Sequence, residues 1–448
     1  MEIKQFKDSP LAHYSYALIS NGEMAVVDPS RNPMQYYKYA EENGVKIVAV
    51  FETHPHADFV SGHLQIHKET GAKIYISEKV GVDYPHVAFD EGNQVEVGDA
   101  TIKALHTPGH SPDSLTFIAE GDGKIAMFSG DTLFIGNVGR PDLREKAGNM
   151  KAKRVELAKQ MYHTMQTKFN HLPDHTLVYP AHGAGSLCGK NMSDASLSTL
   201  GNERQGNWAF KEQTEQEFVD EILKDQPFIP SYFGFNVDLN RNGAINVQKA
   251  KYDVPIKLNV ASLEDENIIV VDSRSGEHYK NAHLPNSINI MARSESDKYE
   301  TWLGAIIEPE EEFYLVVDGV NQIDELLERT AKIGYEKKIK AVITLSEEVS
   351  ISSDGFSLED FKENKDKYTI VDIRNASELA EGKIFGDAKT IPLNELRDRA
   401  DELPDDKPFM VHCAGGYRSS AGSSILENKF KNTRVYDLSE AIKKFIED

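Results

Sequence analysis

Four short stretches carry side chains able to hold a metal: "THPHAD" at 53–58, "TPGHS" at 107–111, "SGDTLF" at 129–134 and "PAHG" at 180–183. They supply His54, His56, Asp58, His110, Asp131 and His182. Imidazole nitrogens and carboxylate oxygens are good ligands for first-row metals. A single histidine is more simply a core or surface residue, and His63, His67 and His86 are read that way. The other six residues each sit in a short loop with Gly, Pro or Ser close by, and are read together as a metal centre. Directly after Asp58, where a further ligand is expected, the chain has Phe59.

A second chemical signal is "FMVHCAGGYRSSAGSS" at 409–424. An apolar strand delivers Cys413 into a six-residue loop that ends at Arg418. Gly415 and Gly416 let the backbone curl so that N–H groups face the sulfur, and a helix begins at about Ser419. A backbone nest at a helix N-terminus stabilises an anion, whether thiolate or persulfide. A lone buried cysteine is usually inert packing, and this loop argues against that reading for Cys413. Cys188 lies six residues after His182 and could approach the metal and carry sulfur. The plainer reading, a small loop residue, is slightly preferred for it.

The elements that position these residues alternate over the first 200 residues. "YALIS-NG-EMAVVDPS" reads as a hairpin with Asn21-Gly22 as a type I′ turn. "KIVAVFET" is a buried strand ending at Thr53, followed by the histidine-rich loop. "KIYIS", "QVEVGD" and "TIKALHT" are further strands. "DSLTFIAEGDGKIAMFSGDT" is a second hairpin, 149–169 has helical spacing, and "TLVYPAHG" is a strand running into a loop. The metal-type residues thus follow strands, where scaffolds place chemistry. Residues 226–255 mix Pro, Gly, Asn and aromatics without periodicity and read as a linker. Beyond them "NIIVVDSR" at 267–274 matches "KYTIVDIR" at 367–374, and "EFYLVVDG" at 312–319 answers "KPFMVHCA" at 407–414. This repeat predicts two copies of one α/β unit. In the first copy Asp318 stands where the second has Cys413, and Ile323 where it has Arg418.

A chain of 448 residues predicts two to four domains, and 40% hydrophobic residues suffice for several cores. The net charge of −22 excludes a phosphate-neutralising nucleic-acid surface. Two cysteines are no disulfide framework, which predicts a reducing cytoplasm. The N-terminus has no signal-peptide pattern and no run reaches about 18 apolar residues, so neither secretion nor membrane insertion is expected.

The order of the four metal motifs resembles the metallo-β-lactamase superfamily over about residues 1–220. That resemblance implies an αββα sandwich with the metal at one sheet edge. Two-metal members, such as glyoxalase II hydrolases, use a histidine after the Asp for the second metal; Phe59 implies a single one. Within the superfamily the sequence looks most like the persulfide dioxygenases, whose single iron is held by two histidines and an aspartate. Carried over, the ligands are His54, His110 and Asp131, with one Fe(II) per chain. His56 falls beside this set, or within it as in other members; Asp58 and His182 would be all that is left of a second site. "GNVGRPD" also resembles that family, and gives Arg140 a role in supporting the active-site loop or binding substrate. The Cys413 segment, with "IVDIR" and "GKIFGDA", resembles a rhodanese domain, with Cys413 as sulfur acceptor and Arg418 as loop-closing Arg; Lys383 departs from the usual His. The expected organisation is a dioxygenase domain at 1–225, the linker at 226–255, an inactive rhodanese-like domain at 256–347 and an active one at 348–448. The implied partners are a small thiol persulfide, O2 and sulfite, with a homo-oligomer expected. The rival expectations are a zinc hydrolase of the glyoxalase II kind and a non-enzymatic sulfur carrier.

Overall fold

The structure, a computed structural model, describes residues 1–145 and 153–446. The chain divides into two units: Met1–Lys249 with Ala331–Gly334, and Ala250–Thr330 with Tyr335–Asp448.

The first unit is built on two six-stranded sheets. One takes its strands in chain order from Glu2–Asp8 to Val87–Ala88; the other runs from Gln94–Val97 at one edge to Ser198–Thr199 at the other. The period-2 alternation of strands decides which residues meet. Along His13–Ser20, Tyr14, Tyr16 and Leu18 face Phe117, Ala119 and Phe128 of the second sheet, in one core between the sheets. Ala17 faces the other way, onto Tyr36, Ala40 and Ile66. The outer face of the second sheet, with Ile118, Met127 and Val178, is covered by Met161 and Met165 of the helix Arg154–Thr167 and by Phe218 and Val219. The result is the expected αββα sandwich. Asn21 and Gly22 turn the hairpin with φ of 43° and 80°, the left-handed pair that a type I′ turn needs. The strand expected to end at Thr53 ends at Phe51. The expected helix at 149–169 runs from Arg154 to Thr167, and positions 149–152 lie outside the described residues. The stretch read as a linker holds two helices, Tyr232–Asn242 and Val247–Tyr252. Phe233, Asn236, Val237 and Asn240 are buried along the first of them. No described helix is long and apolar enough to cross a membrane.

The second unit holds the two copies. Each is a parallel sheet, five-stranded in the first and four-stranded in the second. Parallel strands covered on both faces read as continuous apolar runs, as in "FYLV" of Phe313–Val316 and "FMVH" of Phe409–His412. The repeat extends to a buried clamp. Arg274 grips both oxygens of Asp272 and donates to the Ala282 carbonyl; Arg374 does the same with Asp372 and the Gly382 carbonyl. One guanidinium thereby ties the end of an interior strand to the loop after the next helix. Removing one partner of a buried pair leaves the other charge uncompensated, at a cost of about 3–5 kcal/mol. Asp372→Ala should therefore destabilise this unit by that amount. Denaturant unfolding followed by Trp302 fluorescence, in a Trp208→Phe background, measures it; a cost below about 1 kcal/mol would show the clamp to be dispensable.

Candidate metal centre and sulfur-transfer loop

His54, His110 and Asp131 leave three different strands and converge, with one ligand atom each within 4.8 Å of the others. His54 Nε2 lies 3.8 Å, and His110 Nε2 3.5 Å, from Asp131 Oδ2. All three residues are buried. Their tautomers follow from their neighbours. The Thr53 hydroxyl donates to Asp28 Oδ2 at 2.9 Å, so at 3.0 Å it accepts from His54 Nδ1–H. His110 Nδ1–H donates to the Arg140 carbonyl at 2.8 Å. Both Nε2 lone pairs are thus presented toward Asp131 Oδ2, and among the described residues neither His54 Nε2 nor Asp131 Oδ2 has a hydrogen-bond partner. Buried polar atoms left unpaired are costly, and a cation between them satisfies all three. Two imidazoles and one carboxylate, with no thiolate, suit a hard or borderline divalent metal.

Electrostatics favours the same occupant. Burial, with His56 next in effect, holds His54 well below the ordinary imidazole range, and burial lowers His110 against the pull of Asp131. Burial opposes charge on Asp131, but His182, His110 and His54 together hold its carboxyl well below the usual range. Two neutral imidazoles thus face a carboxylate.

His182 plays a different part. Its Nδ1 is 2.7 Å from Asp131 Oδ1 and its Nε2 2.8 Å from Asp58 Oδ2. Burial disfavours its charge, yet these two carboxylates raise it well above the ordinary value. Imidazolium between two carboxylates supplies the positive charge that a second metal would bring. Asp58, His182 and Cys188 also lie within reach of one another. Burial, then Asp58 and Asp131, push the Cys188 thiol well up, so it stays protonated. Phe59 is buried, its ring 3.9 Å from His13 and 4.4 Å from His56 between centroids. His56 Nε2 is 3.3 Å from Asp28, and His56 is also within reach of Asp131 and His182. Arg140 is buried, forked onto Asp142 at 2.6 and 2.8 Å and donating to the Leu187 carbonyl at 3.1 Å, so its contacts hold the loop before Cys188. His63, read as a core residue, is buried 3.7 Å from Glu52.

Several contributors escape a reading by residue type. Thr53 and Asp28 set the His54 tautomer, and His13 packs on Phe59. Gly139 of "GNVGRPD" is required because a Cβ there would collide with the Asp131 carbonyl oxygen and come 2.9 Å from His110 Nδ1. The strand-end "VVDPS" and the glycine between two loop anchors were the available signals.

In the second unit, Cys413 is buried at the end of Phe409–His412, ahead of the helix Tyr417–Lys429. The Gly416 N–H donates to its Sγ at 3.1 Å; among the described contacts it is the one backbone donor to the sulfur. Gly416 has φ 96°, which turns that N–H inward. Arg418 forks onto Glu378 with two 2.6 Å bonds, and its guanidinium lies over Trp302 of the first copy at 5.9 Å. The corresponding loop of the first copy pairs Asp318 with His278 at 2.6 Å, and Ile323 is buried. Lys383 donates to the Ala388 carbonyl at 3.1 Å.

Residues 8–182 match the metallo-beta-lactamase superfamily, and residues 257–344 and 357–448 match the rhodanese-like domain. The 2.1 Å crystal structure of a metallo-beta-lactamase from Staphylococcus aureus subsp. aureus COL is 30% identical and superposes with a TM-score of 0.66, covering 77% of this chain and 99% of that one. The chain belongs to the metallo-beta-lactamase superfamily. It carries two rhodanese-like domains behind the superfamily domain. A probable hydroxyacylglutathione hydrolase of Schizosaccharomyces pombe is 28% identical over 242 residues, 48% of this chain and 88% of that protein. The crystal structure of ETHE1 from Myxococcus xanthus covers 54% of this chain and 98% of that one, at 24% identity and a TM-score of 0.46.

Loss of a group that orients a metal-binding histidine typically weakens metal binding about 10–100-fold. Thr53→Val keeps the side-chain shape and frees the His54 tautomer. Competitive chelation should show a loss in that range, and unchanged affinity would mean that the metal does not use His54 Nε2.

Proposed function

We propose that this protein is a mononuclear iron persulfide dioxygenase fused to a sulfurtransferase. The observation that carries the reading is that His54, His110 and Asp131 direct two neutral imidazoles and one carboxylate oxygen at one point, while Phe59 stands directly after Asp58 and His182 is engaged by Asp58 and Asp131. An iron held by those three residues would supply the place where O2 and the terminal sulfur of a thiol persulfide react. One persulfide, one O2 and one water give one thiol and one sulfite. The chain's own groups fix the two imidazoles by Thr53 and the Arg140 carbonyl, and hold Asp131 by His182. Buried Phe59 and His13 wall the side where another superfamily member would place a second metal.

The rhodanese-like loop then uses the sulfite. The Cys413 thiolate attacks the outer sulfur of a second persulfide; a Cys413 S–S bond forms, the donor S–S bond breaks, and the donor leaves as thiolate. Sulfite attacks that outer sulfur, the new S–S bond of thiosulfate forms, and Cys413 is released as thiolate. The Gly416 N–H faces the sulfur that carries the charge. Asp318 in the first copy cannot carry sulfane sulfur, so Cys413 is the single acceptor of the pair. In this reading the enzyme would work in a cytoplasm that handles sulfide.

Similarity to hydroxyacylglutathione hydrolases favours a second reading, a two-metal hydrolase. Metal analysis separates the two. The proposed function requires about one iron per chain and O2 uptake with a thiol persulfide, both lost in Asp131→Ala; two zinc ions per chain with thioester hydrolysis and no O2 uptake would replace it. Changing Cys413 to Ser replaces the thiol by a hydroxyl with no adjacent base, a far weaker nucleophile. That variant should consume O2 at the unmodified rate and release sulfite in place of thiosulfate, while Asp318→Ala changes neither product. Thiosulfate at the unmodified rate from Cys413→Ser, after subtraction of the uncatalysed reaction, would move the transfer step elsewhere.

A further inference from the structure

The helix Tyr232–Asn242 lies beyond the residues matched by the superfamily, in a stretch whose composition reads as a linker. It nevertheless places one side chain inside the metal loop. Asn240 is 2% exposed. Its amide nitrogen donates to the His56 and Phe59 carbonyls, both at 2.8 Å, and its Oδ1 accepts from the Ser61 N–H at 2.7 Å. One side chain thereby satisfies three main-chain groups of an irregular, buried segment. Such groups have no ladder to pair with, and each is costly if left unmade.

The placement of these bonds matters for the metal. At the near end of the loop Thr53 is fixed, its N–H donating to Asp28 Oδ1 at 2.8 Å and its carbonyl accepting from Leu115 at 2.8 Å. The next fixed main-chain group is the His56 carbonyl, held by Asn240. His54 hangs between these two anchors. On the far side Ser61 is held twice, by Asn240 and through its hydroxyl, which donates to Glu52 at 2.7 Å. The end of the helix is packed closely on the same unit: at Gly243, φ 84°, a Cβ would collide with Leu64. The head group needed is two donors and one acceptor in a plane on a short stem, which asparagine has. Aspartate would set a carboxylate against two carbonyl oxygens, and leucine offers neither donor nor acceptor.

We propose that Asn240 is a positioning residue for the metal centre, setting the main-chain path from His54 to Ser61 and through it the approach of His54 Nε2 to Asp131. The inference rests on the metal assignment of His54, His110 and Asp131, and not on the identity of metal or substrate. A natural comparison stands one turn earlier on the same helix: Asn236 is fully buried and, among the described residues, neither of its amide atoms has a hydrogen-bond partner.

The test uses the full chain loaded with Co(II), whose visible spectrum reports ligand geometry. Asn240→Leu and Asn236→Leu are compared with the unmodified protein by spectrum, by competitive chelation and by thermal unfolding. Asn240→Leu should shift the spectrum and weaken Co(II) binding by about 10–100-fold, the range for loss of a group that orients ligands. Asn236→Leu should leave both unchanged, and Asn240→Gln, which keeps the head group, should restore part of the affinity. Should the leucine variant fail to fold, Asn240→Ser takes its place with the same expectation. Unchanged affinity and spectrum in the Asn240 variant, or equal losses in the Asn236 variant, would overturn the proposal. Failure of the dioxygenase reading would appear separately, as absence of O2 uptake in the unmodified iron protein.

Discussion

Everything in the first unit depends on the buried Asp131 carboxylate. Taking a carboxylate out of water is expensive, and the interior repays it only with well-placed partners. One oxygen is paired with His182, and the other is faced by His54 and His110. The two sides are unequal. His182 is charged and gives Asp131 its counter-ion, while the other two imidazoles are neutral and give only lone pairs directed at the same point. A carboxylate oxygen facing two lone pairs is not at rest, and a cation resolves the repulsion. The site is therefore organised for a metal by the same contacts that hold its fold together.

That arrangement explains why neighbours with no chemistry of their own are placed as they are. The Thr53 hydroxyl donates to Asp28 and so accepts from Nδ1–H of His54, which fixes that tautomer. Gly139 lets the loop lie against His110 and the Asp131 carbonyl. Arg140 holds the segment leading to Cys188 while its carbonyl orients His110. The second unit solves an analogous problem for an anion: an inward N–H from Gly416 at the sulfur, a helix beginning beside it, and Arg418 kept in place by Glu378. In both units a strand end supplies the reactive side chain and a glycine-containing turn aims its partners.

Much of this was legible in sequence, for reasons that differ from residue to residue. The metal residues stood out because charged or imidazole side chains clustered at strand ends have few other uses. The hairpin at Asn21-Gly22 was legible because only that turn type demands two left-handed residues. The two rhodanese copies were legible from a repeated Asp-x-Arg, which the buried clamp explains. The helix Tyr232–Asn242 was missed because "SYFGFNVDLNRNG" is held by burial of scattered aromatics and asparagines and has little amphipathic periodicity. The roles of Thr53, Asp28, His13 and Asn240 were invisible because they depend on pairings 25 to 184 residues apart in sequence, from Thr53 with Asp28 to Asn240 with His56. Cys188 was read as a small loop residue that could approach the metal, and only the fold shows the burial, and after it the Asp58 and Asp131 carboxylates, that keep its proton in place.

The central claim is a single metal on two imidazoles and one carboxylate. X-ray absorption at the iron edge of the loaded full-length protein tests it most directly. The claim requires a first shell of nitrogen and oxygen with the multiple-scattering signature of two imidazoles, and no heavy scatterer at roughly 3.5–4 Å, where paired metals sit. A metal–metal distance in that range, or a sulfur in the first shell from Cys188, would contradict it.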